Sequence, residues 1–321
     1  MAALALGSWA QASTAAVAAL PPARYGQPLA LAPGVFALPG GLEGAEPDNQ
    51  GAVGNLGLID TLAGPVLVET GGSYRLARWA ISEARRLTGR RPVLAVITQA
   101  RPEFLMGGAA FEEAGIPVLA HADTAELMAL RCHECLRRLR ADLGEAAMRG
   151  TRLVLPGRRI EAGLSLELGG RRIELLHLNG HTSGDLVVLA ADRGVAFAGA
   201  LVPAGRIPEI DPGREATPWR AALRRLGRQE GLRTLVPGYG APGPAAGLVD
   251  AVEAYLAALE SQVQALLDAG VDLLEAQRRV ELPAWRGWAR YEAFHKRNVQ
   301  RQYLAAELRW LGGVPDPGAP R

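Results

Sequence analysis

The chain contains a series of short apolar runs, each stopped by a polar or glycine-rich loop. Val93-Leu94-Ala95-Val96-Ile97 runs into Gln99, Arg101, Glu103 and Phe104 and then into Gly107-Gly108. The runs 171–178, 185–191, 194–198 and 232–236 stop at Gly180, Asp192, Gly199 and Pro237-Gly238 in the same way. Runs of this length are strands rather than helices. Strands this apolar do not suit a sheet with one face in water, and they call for sheets covered on both sides.

Helical segments separate the runs. Gly71-Gly72-Ser73 caps a helix over 73–88 whose buried face draws on Leu76, Trp79, Ala80, Ile81 and Leu87. Further helices are expected at 107–114, 123–148, 217–228, 244–268 and 287–310, and further strands at 34–38, 55–60, 66–70, 116–120, 152–155 and 164–168. The order predicts a layered α/β domain over 34–270 and a helical extension over 271–311. An irregular, signal-like leader covers 1–33 and a loose tail covers 312–321. At 49% hydrophobic and 21% charged residues, 321 residues can bury a large core.

Charge excludes some partners. With 35 basic and 33 acidic residues the net charge is +2, which gives no global field to draw nucleic acid. No segment reaches the ~20 apolar residues of a membrane span. Ala10-Gln11-Ala12 in an apolar, small-residue leader fits a signal-peptidase site, so export to the periplasm is expected. The first charge is Arg24, so the basic start of a leader would lie upstream. Cytoplasmic residence is the other reading.

Four loops stand out because each follows a strand: Gln99–Phe104, Gly180-His181-Thr182-Ser183-Gly184-Asp185, Gly199-Ala200 and Pro237-Gly238-Tyr239-Gly240. In order and spacing they resemble the metal-binding loops of the metallo-β-lactamase superfamily. That resemblance implies a four-layer αββα sandwich with these loops along one edge, holding one or two zinc ions. The family pattern is His-x-His-x-Asp-His, Gly-His-Thr-x-Gly, Gly-Asp and Pro-Gly-His-Gly. Zinc takes about four N, O or S ligands, and a hydrolytic site leaves one position for water.

Carried over residue by residue, the pattern fails at nearly every ligand. Its histidine positions on the first loop hold Gln99, Arg101 and Phe104, and its aspartate position holds Glu103. The third-loop aspartate position holds Ala200 and the last histidine position holds Tyr239. Only His181 keeps its residue. The expected metal content is therefore none. Arg101, a cation that does not deprotonate, is expected to fill the space and to pair with Glu103 or Asp185. His181, Glu103 and Asp185 are the candidates for any proton transfer. A second resemblance, at Trp288, Tyr291, Phe294-His295 and Arg297-Asn298-Val299, points to periplasmic quinoprotein relay system metallohydrolases related to the sulfur-oxidation type.

Other features read as structural. His177 is expected to pack, His121 to cap or sit at the surface, and His295 to belong to a helix face. Cys132 and Cys135 share one face of helix 123–148. Buried thiols, a disulfide and a metal site all remain open for them. No phosphate-binding glycine pattern and no Gly-x-Ser-x-Gly elbow follows a strand. The resemblance thus implies a metal-free member of a hydrolase family that binds a small molecule or a periplasmic protein. A divergent hydrolase with an atypical zinc site, or none, and a structural subunit acting through a homodimer surface remain as alternatives.

Overall fold

Two sheets lie face to face in the computed structural model, which describes residues 24–312. The leader motif Ala10-Gln11-Ala12 and the tail beyond Gly312 fall outside the described residues. The first sheet runs in sequence order through β1 (Leu29–Ala32), β2 (Val35–Leu38), β3 (Leu56–Ile59), β4 (Val66–Val68), β5 (Leu94–Val96), β6 (Val118–His121) and β7 (Arg158–Ile160). Its first four strands form an antiparallel meander, and β4 to β7 are parallel. Parallel neighbours need crossovers. These are α1 (Tyr74–Thr88), the pair α2 (Pro102–Leu105) and α3 (Gly108–Glu113), and α4 (Ala122–Ala147).

The local reasons are plain for α1. Ser73 accepts a hydrogen bond from the Leu76 amide, and Gly89 closes the helix at φ 71°. Leu76, Ala77, Ala80 and Ala84 repeat at helical spacing and form its buried stripe.

The second sheet has the order β13-β12-β11-β10-β9-β8. Its strands are β8 (Leu164–Leu168), β9 (Arg171–His177), β10 (Leu186–Ala190), β11 (Val195–Phe197), β12 (Thr234–Val236) and β13 (Gly243–Pro244). Helices α5 (Ala216–Gly227), α6 (Ala245–Asp268), α7 (Leu273–Arg279) and α8 (Tyr291–Gly312) cover its outer face. Strand β10 shows why two covers are needed. Leu186, Val188 and Ala190 point into the layer between the sheets, while Val187 and Leu189 point into the helical layer. The result is the expected αββα sandwich with a C-terminal helical extension.

Several local expectations are corrected. Residues 29–32, read as irregular leader, form strand β1. Residues 152–155 are not a strand; Pro156 follows them and cannot donate to a ladder. The strand there is β7, whose Arg158 and Arg159 suit an exposed sheet edge. Strand β9 is less apolar in its setting than its composition implies, with only Ile173 and Leu175 fully buried. Part of the loop after β5 is helical, with Pro102 opening α2, where its missing amide hydrogen costs nothing. Helix α4 breaks at Gly144 (φ 81°, ψ 157°). The helix expected from 287 starts only at Tyr291, and a single 3-10 turn, Pro283–Trp285, precedes it.

Candidate functional site

The four strand-end loops meet at one edge of the sandwich. Backbone contact fixes them closely. A side chain on Gly238 would strike the Gly199 carbonyl at 2.4 Å, so the third and fourth loops touch main chain to main chain. Gly199 itself, at φ 50°, lies where a Cβ would fall 2.0 Å from Gln99 Oε1. Asn55, from the loop before β3, ties the fourth loop down by donating to the carbonyls of Pro237 (2.8 Å) and Gly240 (2.7 Å).

The side chains at the meeting point bond to each other. Gln99 Oε1 accepts from the Ala200 amide at 2.8 Å, which joins the first loop to the third. The Tyr239 hydroxyl donates to Glu103, and its ring stacks on Phe104 at 5.7 Å, which joins the fourth loop to the first. Arg101 Nη2 donates to Glu209 at 2.9 Å, and its Nε lies 3.7 Å from Glu103. The guanidinium of Arg206 lies over the Tyr239 ring at 4.0 Å and donates to the carbonyls of Leu42 and Glu43 at 2.8 and 3.1 Å. A residual space of about 10 Å³ is left among these groups, no larger than one water.

Charges set the ionisation here. Burial pushes Glu103 up, but Arg101 and Arg206 more than offset this and hold its carboxyl below the usual range. Glu209 behaves alike: burial raises it, Arg101 and Arg301 lower it further, and it too titrates low. Both are anions at neutral pH, matched to a buried guanidinium.

Underneath lies a hydrogen-bonded relay. Thr98 Oγ1 contacts both Glu69 Oε1 and Gln99 Oε1, the latter at 2.6 Å. A hydroxyl has one proton and cannot donate to two acceptors. The contacts are satisfied if Glu69 is protonated, donates to Thr98, and Thr98 donates to Gln99. Burial raises the Glu69 carboxyl to about 8, against the opposing hydrogen bonds from Thr98, so the neutral form is the one expected at pH 7.

The structure thus brings Gln99, Arg101, Glu103, Phe104, Ala200 and Tyr239 together, with His181 at the inner end. His181 is buried, stands edge-on to Trp219 at 4.9 Å and lines the residual space. Its Nδ1 makes no hydrogen bond and is 3.9 Å from Asp185. Asp185 is a correction. It does not pair with Arg101 but accepts from the Gly180 amide (3.1 Å) and from the amide and hydroxyl of Thr182 (3.0 and 2.6 Å). It shapes its own loop. His121 caps α4 through Asp123 N and, although buried, stacks on His177 at 4.0 Å. His295, on the buried face of α8, sits between the Tyr255 hydroxyl and the Val280 carbonyl.

Outside this cluster opens a cleft of about 560 Å³, lined by Arg101, Glu103, Arg206, Glu209, Arg290 and the two cysteines among others. Arg206, Glu209 and Arg290 carry no strand-end signature, and nothing in the sequence singled them out.

The superfamily model for metallo-β-lactamases matches residues 50–238, more than half of the chain. The chain belongs to the metallo-β-lactamase superfamily. No curated protein matches it. Among solved structures it is similar to a metallo-β-lactamase family protein from Thermus thermophilus, at 22% identity and a TM-score of 0.63, covering 90% of this chain and 97% of that one. It is also similar to a metallo-β-lactamase from Pontibacter korlensis (19%, TM-score 0.58, 72% and 98%). A third likeness is to the stereoselective inverting sec-alkylsulfatase Pisa1 from Pseudomonas sp. (18%, TM-score 0.66), of which the matched part covers only 52% while it covers 92% of this chain. At these identities the likeness is one of fold.

For a metallo-β-lactamase fold the donor set is unusual. Among the described residues no three His, Cys, Asp or Glu side chains group to hold a metal. One imidazole and two carboxylates already paired with arginine do not fit zinc, and Arg101 would set a fixed cation against a dication.

Proposed function

We propose that this metallo-β-lactamase-fold protein binds a small organic anion in its cleft and does not work as a zinc hydrolase. One observation carries the reading: the loops that a metal would join are joined by their own side chains around the Arg101 guanidinium. A second supports the ligand's charge. Arg290 lines the cleft, makes no ion pair among the described residues, and has a buried Nε without a partner, whereas Arg206 already acts on Glu103. A guanidinium with a buried, unpartnered N–H and no ion pair favours an anion. A periplasmic setting is part of this proposal and rests on Ala10-Gln11-Ala12, outside the described residues.

Isothermal titration calorimetry tests it, with succinate, benzoate and zinc chloride as separate titrants. A carboxylate probe should bind, and Arg290→Ala should weaken it about tenfold, the scale of one charged contact. Zinc should show no stoichiometric site. One equivalent of tightly bound zinc, lost in His181→Ala, would overturn the proposal in favour of a metal-dependent hydrolase.

A further inference from the structure

The charges around the cleft are only partly neutralised by one another. Arg101 is held by Glu103 and Glu209. Arg131 is held by Asp211 at 3.1 Å and Arg138 by Glu134 at 2.8 Å. Arg206 acts on Glu103 and gives Nη1 to two carbonyls. Three lining groups are left over. The side chains of Arg290, Glu46 and Asp142 make no ion pair and no hydrogen bond among the described residues. One cation and two carboxylates therefore face the same open volume.

They are not scattered, because the loop over residues 44–51 connects them. Asn49 holds that loop as one piece. Its Nδ2 donates to the Gly44 carbonyl at 2.8 Å, and its Oδ1 accepts from the amides of Glu46 at 3.0 Å and Gly51 at 2.8 Å. At one end of the loop a Cβ on Gly44 would lie 3.4 Å from Arg290 Nη1. At the other end a Cβ on Gly51 would lie 2.9 Å from Leu143 Cδ1, next to Asp142 on α4. Glu46 stands on the loop between them. Arg290 is fixed as well. It sits at φ 65° just before α8, its carbonyl accepts from the Phe294 amide at 3.0 Å, and its guanidinium lies over the Phe294 ring at 5.0 Å. A left-handed backbone is uncommon outside glycine, so the fold imposes this position. The wall formed by α4 runs from Arg131 to Asp142, about 16 Å at ~1.5 Å per residue. The free thiols Cys132 and Cys135 belong to that wall.

We infer that the cleft takes a linear zwitterion, an ω-amino acid or a short peptide, with its carboxylate on Arg290 and its ammonium at Glu46 and Asp142. The carboxylate end rests on the function proposed above; the ammonium end goes beyond it. A plain anion would meet Arg290 but leave two carboxylates facing it unanswered. A molecule with both charges satisfies both ends of the loop and binds in one direction, since reversal would set carboxylate against carboxylate. Three extended peptide units span about 10 Å, enough to separate the two charges along the loop. The cleft of about 560 Å³ falls in the range of roughly 300–1,000 Å³ usual for small-molecule sites. Ala45, Leu127 and Leu139 also line it and offer apolar surface to the chain between the charges.

Calorimetry on the full chain tests this at low ionic strength, where exposed charges are least screened. Hexanoate carries the carboxylate alone, adipate two carboxylates, 6-aminohexanoate both charges, and triglycine both charges on a peptide backbone. The zwitterion 6-aminohexanoate should bind about fivefold more tightly than hexanoate, the upper scale of exposed ion pairs, and adipate more weakly than hexanoate. The double variant Glu46→Gln, Asp142→Asn should bring hexanoate and 6-aminohexanoate within about twofold of each other. Arg290→Ala should weaken both by the same factor. Triglycine binding above 6-aminohexanoate assigns the site to short peptides, and the reverse order assigns it to ω-amino acids. Hexanoate or adipate binding as tightly as 6-aminohexanoate would overturn the ammonium end and leave the anion reading standing. A preference for 6-aminohexanoate that survives the double variant would overturn the assignment to Glu46 and Asp142. Failure of every carboxylate probe to bind would overturn both readings.

Discussion

Glu69 is the residue whose ionisation does most to tie the site to the fold. It is buried, at φ 70°, and it feeds the relay through Thr98 to Gln99 and the Ala200 amide. Its folded-state value of about 8 lies above the usual ~4.3 of an unfolded glutamate. Between these values the folded protein keeps a proton that the unfolded chain has released. Stability from this group is therefore complete below pH 4 and falls as pH rises towards 8, by at most about 1.4 kcal/mol per pH unit. Glu69→Gln keeps a donor and an acceptor but cannot ionise. Urea unfolding at a series of pH values should show the variant gaining on the wild type from pH 5 to 8. Parallel curves would mean that Glu69 is ionised in the native state. Little of this was legible beforehand, because Glu69 is one acidic residue after a strand with no motif around it. Arg101 was legible as a cation in the wrong place for zinc, but its chief partner was not. The sequence pointed to Glu103 or Asp185; Glu103 is near at 3.7 Å, but Asp185 is taken by donors three and five residues away. Glu209 took the role from a stretch without periodicity, where only tertiary packing could bring it in.

At the scale of elements, α8 holds the segment that carries Arg206 and Glu209. Asn298 accepts from the Ile210 amide at 3.1 Å and donates to the Pro208 carbonyl at 2.6 Å and the Tyr255 hydroxyl at 3.0 Å, so it clamps the chain on both sides of Glu209. Gln302 adds a contact to the Ala216 amide at 2.8 Å. Asn298→Ala strands a buried amide and carbonyl, and should cost about 2–4 kcal/mol in chemical denaturation. Amide exchange should also quicken over 203–211. A variant that loses stability but keeps exchange slow there would separate α8 from the site. The strands ending in the four loops were readable because apolar runs mark sheets and glycines mark the turns. The errors fell where periodicity is silent: the polar edge strand β7, the single turn α2 and the helix break at Gly144.

For the molecule as a whole, stability should be independent of metal. Anything that binds only the folded state raises its melting temperature, so removing it must lower it. EDTA in excess should leave the thermal transition where it is, read by circular dichroism or calorimetry. A fall of several degrees, reversed by zinc, would contradict the proposed metal-free core. The layered architecture itself followed from the alternation of runs and helices, since a sheet buried on both faces has few other solutions.

The mutual bonding of the loops also bears on how such a protein can change. Arg101, Glu103, Phe104 and Tyr239 at the meeting point are partners of one another. Ala200→Asp alone would bury a carboxylate against Phe104 and Tyr239, with Glu103 close by. Tyr239→His alone would leave Glu103 without its hydroxyl donor and Arg206 without the ring it covers. Arg101→His alone would strip Glu103 and Glu209 of their cation. Each of these single steps towards the family's ligand pattern is thus a loss, and a gain would come only when several are made together. The packed loops interlock: the scaffold stays open to change at its cleft wall while its centre resists substitution one residue at a time.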